Sequence, residues 1–112
     1  MRKFMVERGM PGIGSAARTE LDAVAEIDNR IISELWPDIQ WLTSFIADDK
    51  TYCIYLAKDE ATVRRHSELA GFPADKILEL KATIDPGTPD GSTRPGAETQ
   101  RPLIPSLDDN DS

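Results

Sequence analysis

The 112-residue sequence predicts an α+β domain, and three observations carry that reading. Four short runs have the apolar–polar alternation or the aromatic and β-branched content of strands. Two longer stretches between them repeat apolar residues at three- and four-residue steps as amphipathic helices do. The runs succeed one another as strand, helix, strand, strand, helix, strand.

The first run, Lys3 to Arg8, sets Phe4 and Val6 against Met5 and Glu7 and stops at Gly9-Met10-Pro11-Gly12-Ile13-Gly14. Ser15 is a suitable N-cap for a helix. Leu21, Val24, Ala25, Ile31, Ile32 and Leu35 form one stripe of that helix, about 20 residues long, with Asp28 falling on the stripe. Trp36-Pro37-Asp38 ends it. Ile39 to Ile46 has the aromatic and β-branched content of a strand, Ala47 to Lys50 is turn material, and Thr51 to Ala57 completes a hairpin. Asp59 can cap a second helix that runs to Ala70, with Gly71 at the C′ position where a left-handed backbone is cheap. Ile77 to Ile84 alternates as the last strand.

The order is the βαββαβ arrangement of ferredoxin-like folds, a four-stranded antiparallel sheet with both helices on one face. The opposite face has no cover from its own chain, so water or a second subunit meets it. Residues 1–85 form this domain. Residues 86–112 hold five of the eight prolines and little apolar periodicity, the composition of a disordered acidic Pro/Gly-rich tail; Pro102-Leu103-Ile104-Pro105 is the one apolar piece within it.

Composition narrows the function. Thirteen basic against 20 acidic residues leave no basic face for a nucleic-acid backbone, although residues 1–84 alone, with 11 bases and 14 acids, are only mildly acidic. One cysteine excludes an intrachain disulfide and fits a reducing, cytoplasmic compartment. The early charges Arg2 and Lys3 and the lack of a long apolar run argue against a signal peptide and a membrane span. A domain of this size gains from dimerisation.

Strand parity assigns the candidate site. Placing the more apolar sets inward (Phe4 and Val6; Tyr52, Ile54 and Leu56; Leu78, Leu80 and Ala82) leaves Met5, Glu7, Cys53, Tyr55, Glu79 and Lys81 on the open face, joined by Trp41, Thr43 and Phe45. Two sheets packed open face to open face would enclose a ligand pocket lined by Glu7, Trp41, Cys53, Tyr55, Glu79 and Lys81, with carboxylates for acid-base work; the bland counterpart is an ordinary interface with cross-strand Glu–Lys pairs. His66, the only histidine, lies on the buried stripe of the second helix, where hydrogen bonding to Asp28 across the helix layer is expected. Cys53, on the other face, reads as a small mid-strand hydrophobe. The glycine loop lacks the lysine of a phosphate-binding loop and reads as a connector.

The segments Asp48 to Tyr55, Ala57 to Arg64 and His66 to Ile77, most specifically Ala70 to Ile77, together with Phe4 to Arg8, resemble a family of small bacterial domains of unknown function that includes an actinobacterial nickel-binding protein. The resemblance covers about residues 2 to 85. It implies a ferredoxin-like fold forming a homodimeric α/β barrel, and nickel or another divalent metal as the cofactor, with His66 as the position that carries over as a ligand. Ala70 and Glu7 stand where nickel-binding relatives have further histidines. The expectation is therefore a homodimeric protein that binds a divalent metal or a small molecule. The alternatives are a cofactor-independent oxygenase- or isomerase-like enzyme using Glu7 and Tyr55, by analogy with related barrels, and an interaction module acting through its tail.

Overall fold

The computed structural model describes residues 1–90. Met1–Lys81 form one compact unit and a second begins at Ala82. The first contains β1 (Arg2–Gly9), α1 (Arg18–Leu35), β2 (Ile39–Ile46), β3 (Lys50–Ala57), α2 (Glu60–Ala70) and β4 (Lys76–Leu80). The sheet is antiparallel throughout, in the order β2-β3-β1-β4, so the expected ferredoxin-like α+β fold is present. Most of the expected tail, residues 91–112, lies outside the described residues. In its described part, Thr88–Asp90 form a 3-10 turn in which the Asp85 N–H donates to Thr88 Oγ1 at 2.8 Å and the Gly87 N–H to Asp85 Oδ1 at 2.9 Å.

Local chemistry explains the element ends. Asp59 caps α2 as expected: its Oδ1 accepts from the Thr62 N–H at 2.8 Å and from the Thr62 hydroxyl at 2.6 Å, satisfying a donor the helix itself cannot. Gly71 closes the helix in the left-handed region, φ 75°. Ser15 does not cap α1. It ends a 3-10 turn, Ile13–Ser15, and the helix starts later, from Ala17, whose N–H donates to Glu20 Oε1 at 3.3 Å. The 9–15 loop is pinned to the β2–β3 turn by the Gly12 N–H on Asp49 Oδ1 and the Gly14 N–H on the Asp48 carbonyl. There Gly14 is required, because a Cβ would stand 2.7 Å from Asp48 Cα and 2.8 Å from the Ala47 carbonyl oxygen.

The register corrects the parity assigned to β3. Phe4 pairs with Tyr55 and Val6 with Cys53, and directly paired residues share a face, so Cys53 and Tyr55 belong with Phe4 and Val6 under the helices. The core comprises Phe4, Val6, Ile39, Cys53, Tyr55, Ala57 and Val63. Tyr52, Ile54 and Leu56, the more apolar set by inspection, lie on the face the helices leave uncovered, as do Met5, Leu78 and Leu80. The cause is that both sets of β3 are apolar enough for a core. The open face is hydrophobic, and an assignment that sends the greasier set inward fails on a sheet that has two apolar sides.

Candidate functional site

The helix-covered face holds a buried polar chain in the middle of the core. On β1 the alternation that buries Phe4 and Val6 also buries Arg8, which is 1% exposed. An arginine can occupy that position only if its guanidinium is bonded on most sides. Nη1 donates to Ser67 Oγ on α2 at 2.9 Å and to the Pro73 carbonyl at 2.7 Å; Nη2 donates to the Tyr55 hydroxyl at 3.1 Å. The cation also faces the Phe72 ring, 5.4 Å from its centroid, and that of Tyr55, at 5.8 Å. Tyr55 donates its own proton to Asp28 Oδ2 on α1 at 2.9 Å, and Asp28 Oδ1 lies 2.7 Å from Nε2 of His66 on α2. Every side chain in the chain Ser67–Arg8–Tyr55–Asp28–His66 is buried.

The roles come from donor and acceptor inventories. With the Asp28 carboxylate as acceptor, His66 presents Nε2–H, and Nδ1 is left with no partner among the described residues. Burial pushes the Tyr55 phenol well above its ordinary pKa of 10.0, helped by the Asp28 charge and opposed by Arg8, so the hydroxyl remains a proton donor. A cation and an anion are thus linked through one phenol. Among the described residues the network is closed at every point but two: His66 Nδ1 and Arg8 Nε, a donor with no hydrogen-bond acceptor.

Arg8 and Asp28 also line a cavity of about 400 Å³ between α1 and the sheet. Thr51 and Cys53 of β3 line it as well. Its walls are apolar, from Met10 and Ile13 of the glycine loop, Leu21, Val24 and Ala25 of α1, and Trp41 and Ile46 of β2, while the exposed pair Arg18 and Asp22 stands at the solvent side. A mostly apolar cavity with a few fixed polar groups is the usual anatomy of a small-molecule site.

Of the residues singled out by sequence, the cavity brings Trp41 and Cys53 together with Tyr55 immediately beneath, but on the helix side rather than the open face. Trp41 is opposite Tyr55, whereas Thr43 and Phe45 are opposite Ile54 and Tyr52; the irregularity between Trp41 and Thr43 switches the strand's parity. Glu7, paired with Tyr52 and Lys76, remains on the open face and is bridged by Lys50 at 3.3 Å, so Glu7 and Tyr55 cannot act as one acid-base pair. Glu79 is registered opposite Phe4, not on the open face, and forms surface ion pairs with Arg2 at 2.7 Å and Lys81 at 3.1 Å, which hold its carboxyl down to about 2. Lys81 lies beyond the end of β4 and is exposed. The residue that sequence reasoning passed over is Arg8. Its signal was present, a charged residue two positions beyond Val6 on the same parity as Phe4. The predicted His66–Asp28 contact is present.

The metal expectation does not find a donor set within one chain. No group of three or more His, Cys, Asp or Glu side chains is arranged to hold an ion among the described residues. His66 is fully buried with Nε2 committed to Asp28, and its helical neighbour one turn on is Ala70, which offers no ligand. No helix among the described residues is long and apolar enough to cross a membrane.

Residues 4–80 match the family described as nickel responsive protein SCO4226-like. The fold is similar to the crystal structure of SCO4226 from Streptomyces coelicolor A3(2), with a TM-score of 0.62 and 24% sequence identity over 73% of this chain and 99% of that one. No curated protein matches the chain. The chain belongs to the SCO4226-like family.

Proposed function

We propose that this member of the SCO4226-like family is a homodimeric small-molecule-binding domain whose ligand occupies the cavity between α1 and the sheet. The observation that carries the reading is the lining of that cavity, in which Arg8 and Asp28, each at most 3% exposed, are held by Tyr55, His66 and Ser67 among mostly apolar side chains. Burying two charges is costly, and hydrophobic residues of equal volume serve stability as well or better. Fixed polar groups in a mostly apolar cavity give that cost a use in orienting a bound molecule. The family description, nickel responsive, supports a sensing role, but this chain's own described residues do not supply a nickel site within one subunit.

The second copy covers the open face. Ile54, Met5 and Leu78 form an apolar row across β3, β1 and β4, beside which Leu56 and Leu80 flank Lys3, and Leu78 is 44% exposed. A single domain of this size leaves such a patch to water only at a cost that self-association removes.

Two measurements test the reading. Sedimentation equilibrium gives twice the 12.4 kDa chain mass, and Leu78→Glu gives one chain mass with the helix-side network intact. A fragment screen by amide chemical shifts finds binders that perturb Trp41, Val24 and Thr51, and Ala25→Phe, which fills the chamber, abolishes them. A screen in which no compound perturbs the chamber at millimolar concentration refutes the ligand reading, and a single-chain mass at high protein concentration refutes the dimer.

A further inference from the structure

We infer that two copies pack sheet against sheet about a two-fold axis crossing β1 at Met5, so that Lys3 of each copy lies against Glu7 of the partner subunit. This rests on the dimeric reading of the open face and adds the alignment of the two copies.

Three rungs of side chains cross the open face. Leu56, Lys3 and Leu80 form the first, Ile54, Met5 and Leu78 the second, and Tyr52, Glu7 and Lys76 the third. Met5 stands at the centre, with Lys3 and Glu7 two residues away on either side along β1. Lys3 is half-buried between its two leucines and has no ion pair among the described residues. The one acid in the three rungs is Glu7. Within a chain it cannot serve Lys3, because four residues of strand span about 13 Å, beyond the screening length of about 8 Å. Glu7 is bridged by Lys50 instead, at 3.3 Å. A second sheet laid over Lys3 strips water from its ammonium, which is costly unless that sheet brings an acid to the same place.

The direction of the two-fold axis decides whether it does. With the axis in the plane between the sheets and perpendicular to β1, the two β1 strands run antiparallel, and aligned packing of this kind is common between sheets. The second rung then packs on its own copy, apolar on apolar. The first rung packs on the third: Lys3 meets the partner's Glu7, Leu56 meets the ring of the partner's Tyr52, and Leu80 covers the stem of the partner's Lys76. Lys76 is exposed on the edge strand β4, so its ammonium stays in water. An axis along β1 instead stacks Lys3 on Lys3 and Glu7 on Glu7, like charge on like. Orthogonal packing sets both charges over the apolar rung, where neither has a partner.

Charge reversal tests the alignment. Lys3→Glu and Glu7→Lys each turn both cross-dimer pairs into like charges, and combining the two substitutions restores opposite charges by exchange. The dimer dissociation constant of the full-length chain is measured by sedimentation, and circular dichroism checks that each variant is folded. The expected result is dimerisation at least about ten-fold weaker in each single variant and a return to within about three-fold of the parent in the double variant. A single variant that falls short of that loss, or a double variant no tighter than the singles, overturns the alignment and leaves the dimer standing. If a reversal variant does not fold, cysteines decide. With a short bismaleimide, Met5→Cys cross-links to its own copy, and Lys3→Cys cross-links only when mixed with Glu7→Cys. Cys53, buried on the opposite face, makes the parent the blank. Lys3→Cys cross-linking to its own copy overturns the alignment, and a single-chain mass at every concentration overturns the alignment together with the dimer.

Discussion

Replacing Tyr55 by Phe removes one oxygen and tests the whole buried network. The ring keeps its place beside His66, at 4.9 Å between centroids, so packing is conserved. What is lost is the acceptor for Arg8 Nη2 and the donor to Asp28 Oδ2. Hydrogen bonds to charged groups contribute about 1.5–3 kcal/mol each, and two are lost, giving an upper figure of about 6 kcal/mol. Arg8 retains Ser67 and Pro73, and Asp28 retains His66, so we expect a loss near the lower end, about 3 kcal/mol. At roughly 4–8 °C per kcal/mol for a domain of this size, Tyr55→Phe should melt about 12–24 °C lower. Thermal and urea unfolding followed by circular dichroism, at one fixed protein concentration so that assembly does not shift the midpoint, measures it. Glu60→Gln, which breaks the exposed Glu60–Arg64 pair, is the control and should cost no more than about 0.5 kcal/mol. Tyr55→Phe within about 1 kcal/mol of the parent would mean that Arg8 and Asp28 reach other partners without the phenol, and the reasoning about a closed, preorganised chain would fail. Alkaline behaviour gives an independent check. The folded-state phenol pKa lies above its ordinary value of 10.0, so its contribution is intact below pH 10 and is lost as pH rises above it. Tyr55→Phe should show a shallower alkaline decline.

Three further outcomes are expected. Gly14→Ala drives a methyl group into the β2–β3 turn at the Ala47 carbonyl and Asp48 Cα, so stability should drop by about 1–3 kcal/mol, and fragment binding should weaken because Ile13 of the same loop lines the cavity. Glu79, held down to about 2 by Arg2 and Lys81, contributes stability that is present above its ordinary pKa of 4.5 and fades as pH falls towards 2; Glu79→Gln should therefore flatten the acid limb slightly, an effect that added salt at about 0.5 M removes. Calorimetric titration with nickel should give no stoichiometric heat that depends on His66, the same trace being obtained for His66→Gln; a one-per-chain nickel site abolished in that variant would show that His66 leaves Asp28 to bind metal.

Much of the fold was legible in the residues because local signals agree with one another. Asp59 before a helical stripe and Gly71 after it bound α2 to the residue, and the alternation of Phe4 and Val6 with Met5 and Glu7 set the parity of β1. The contact between His66 and Asp28 was also readable, since each is a polar residue on an otherwise apolar helical stripe and each needs a partner there. The candidate pocket was legible only in part. Trp41, Cys53 and Tyr55 were chosen, but with Glu7, Glu79 and Lys81, which the fold places elsewhere.

The sequence alone determined the order of elements, the ends of α2 and the meeting of His66 with Asp28, because capping, periodicity and donor counting act over a few residues. Only the tertiary structure decided which side of β3 faces the helices and that Arg8 completes the buried chain. In β3 the alternating sets Tyr52, Ile54, Leu56 and Cys53, Tyr55, Ala57 are both apolar enough to be buried, so hydrophobicity leaves the choice open. Pairing with Phe4 and Val6 on β1 settles it, and the same pairing carries Tyr55 to the one place where its hydroxyl can link a buried cation to a buried anion.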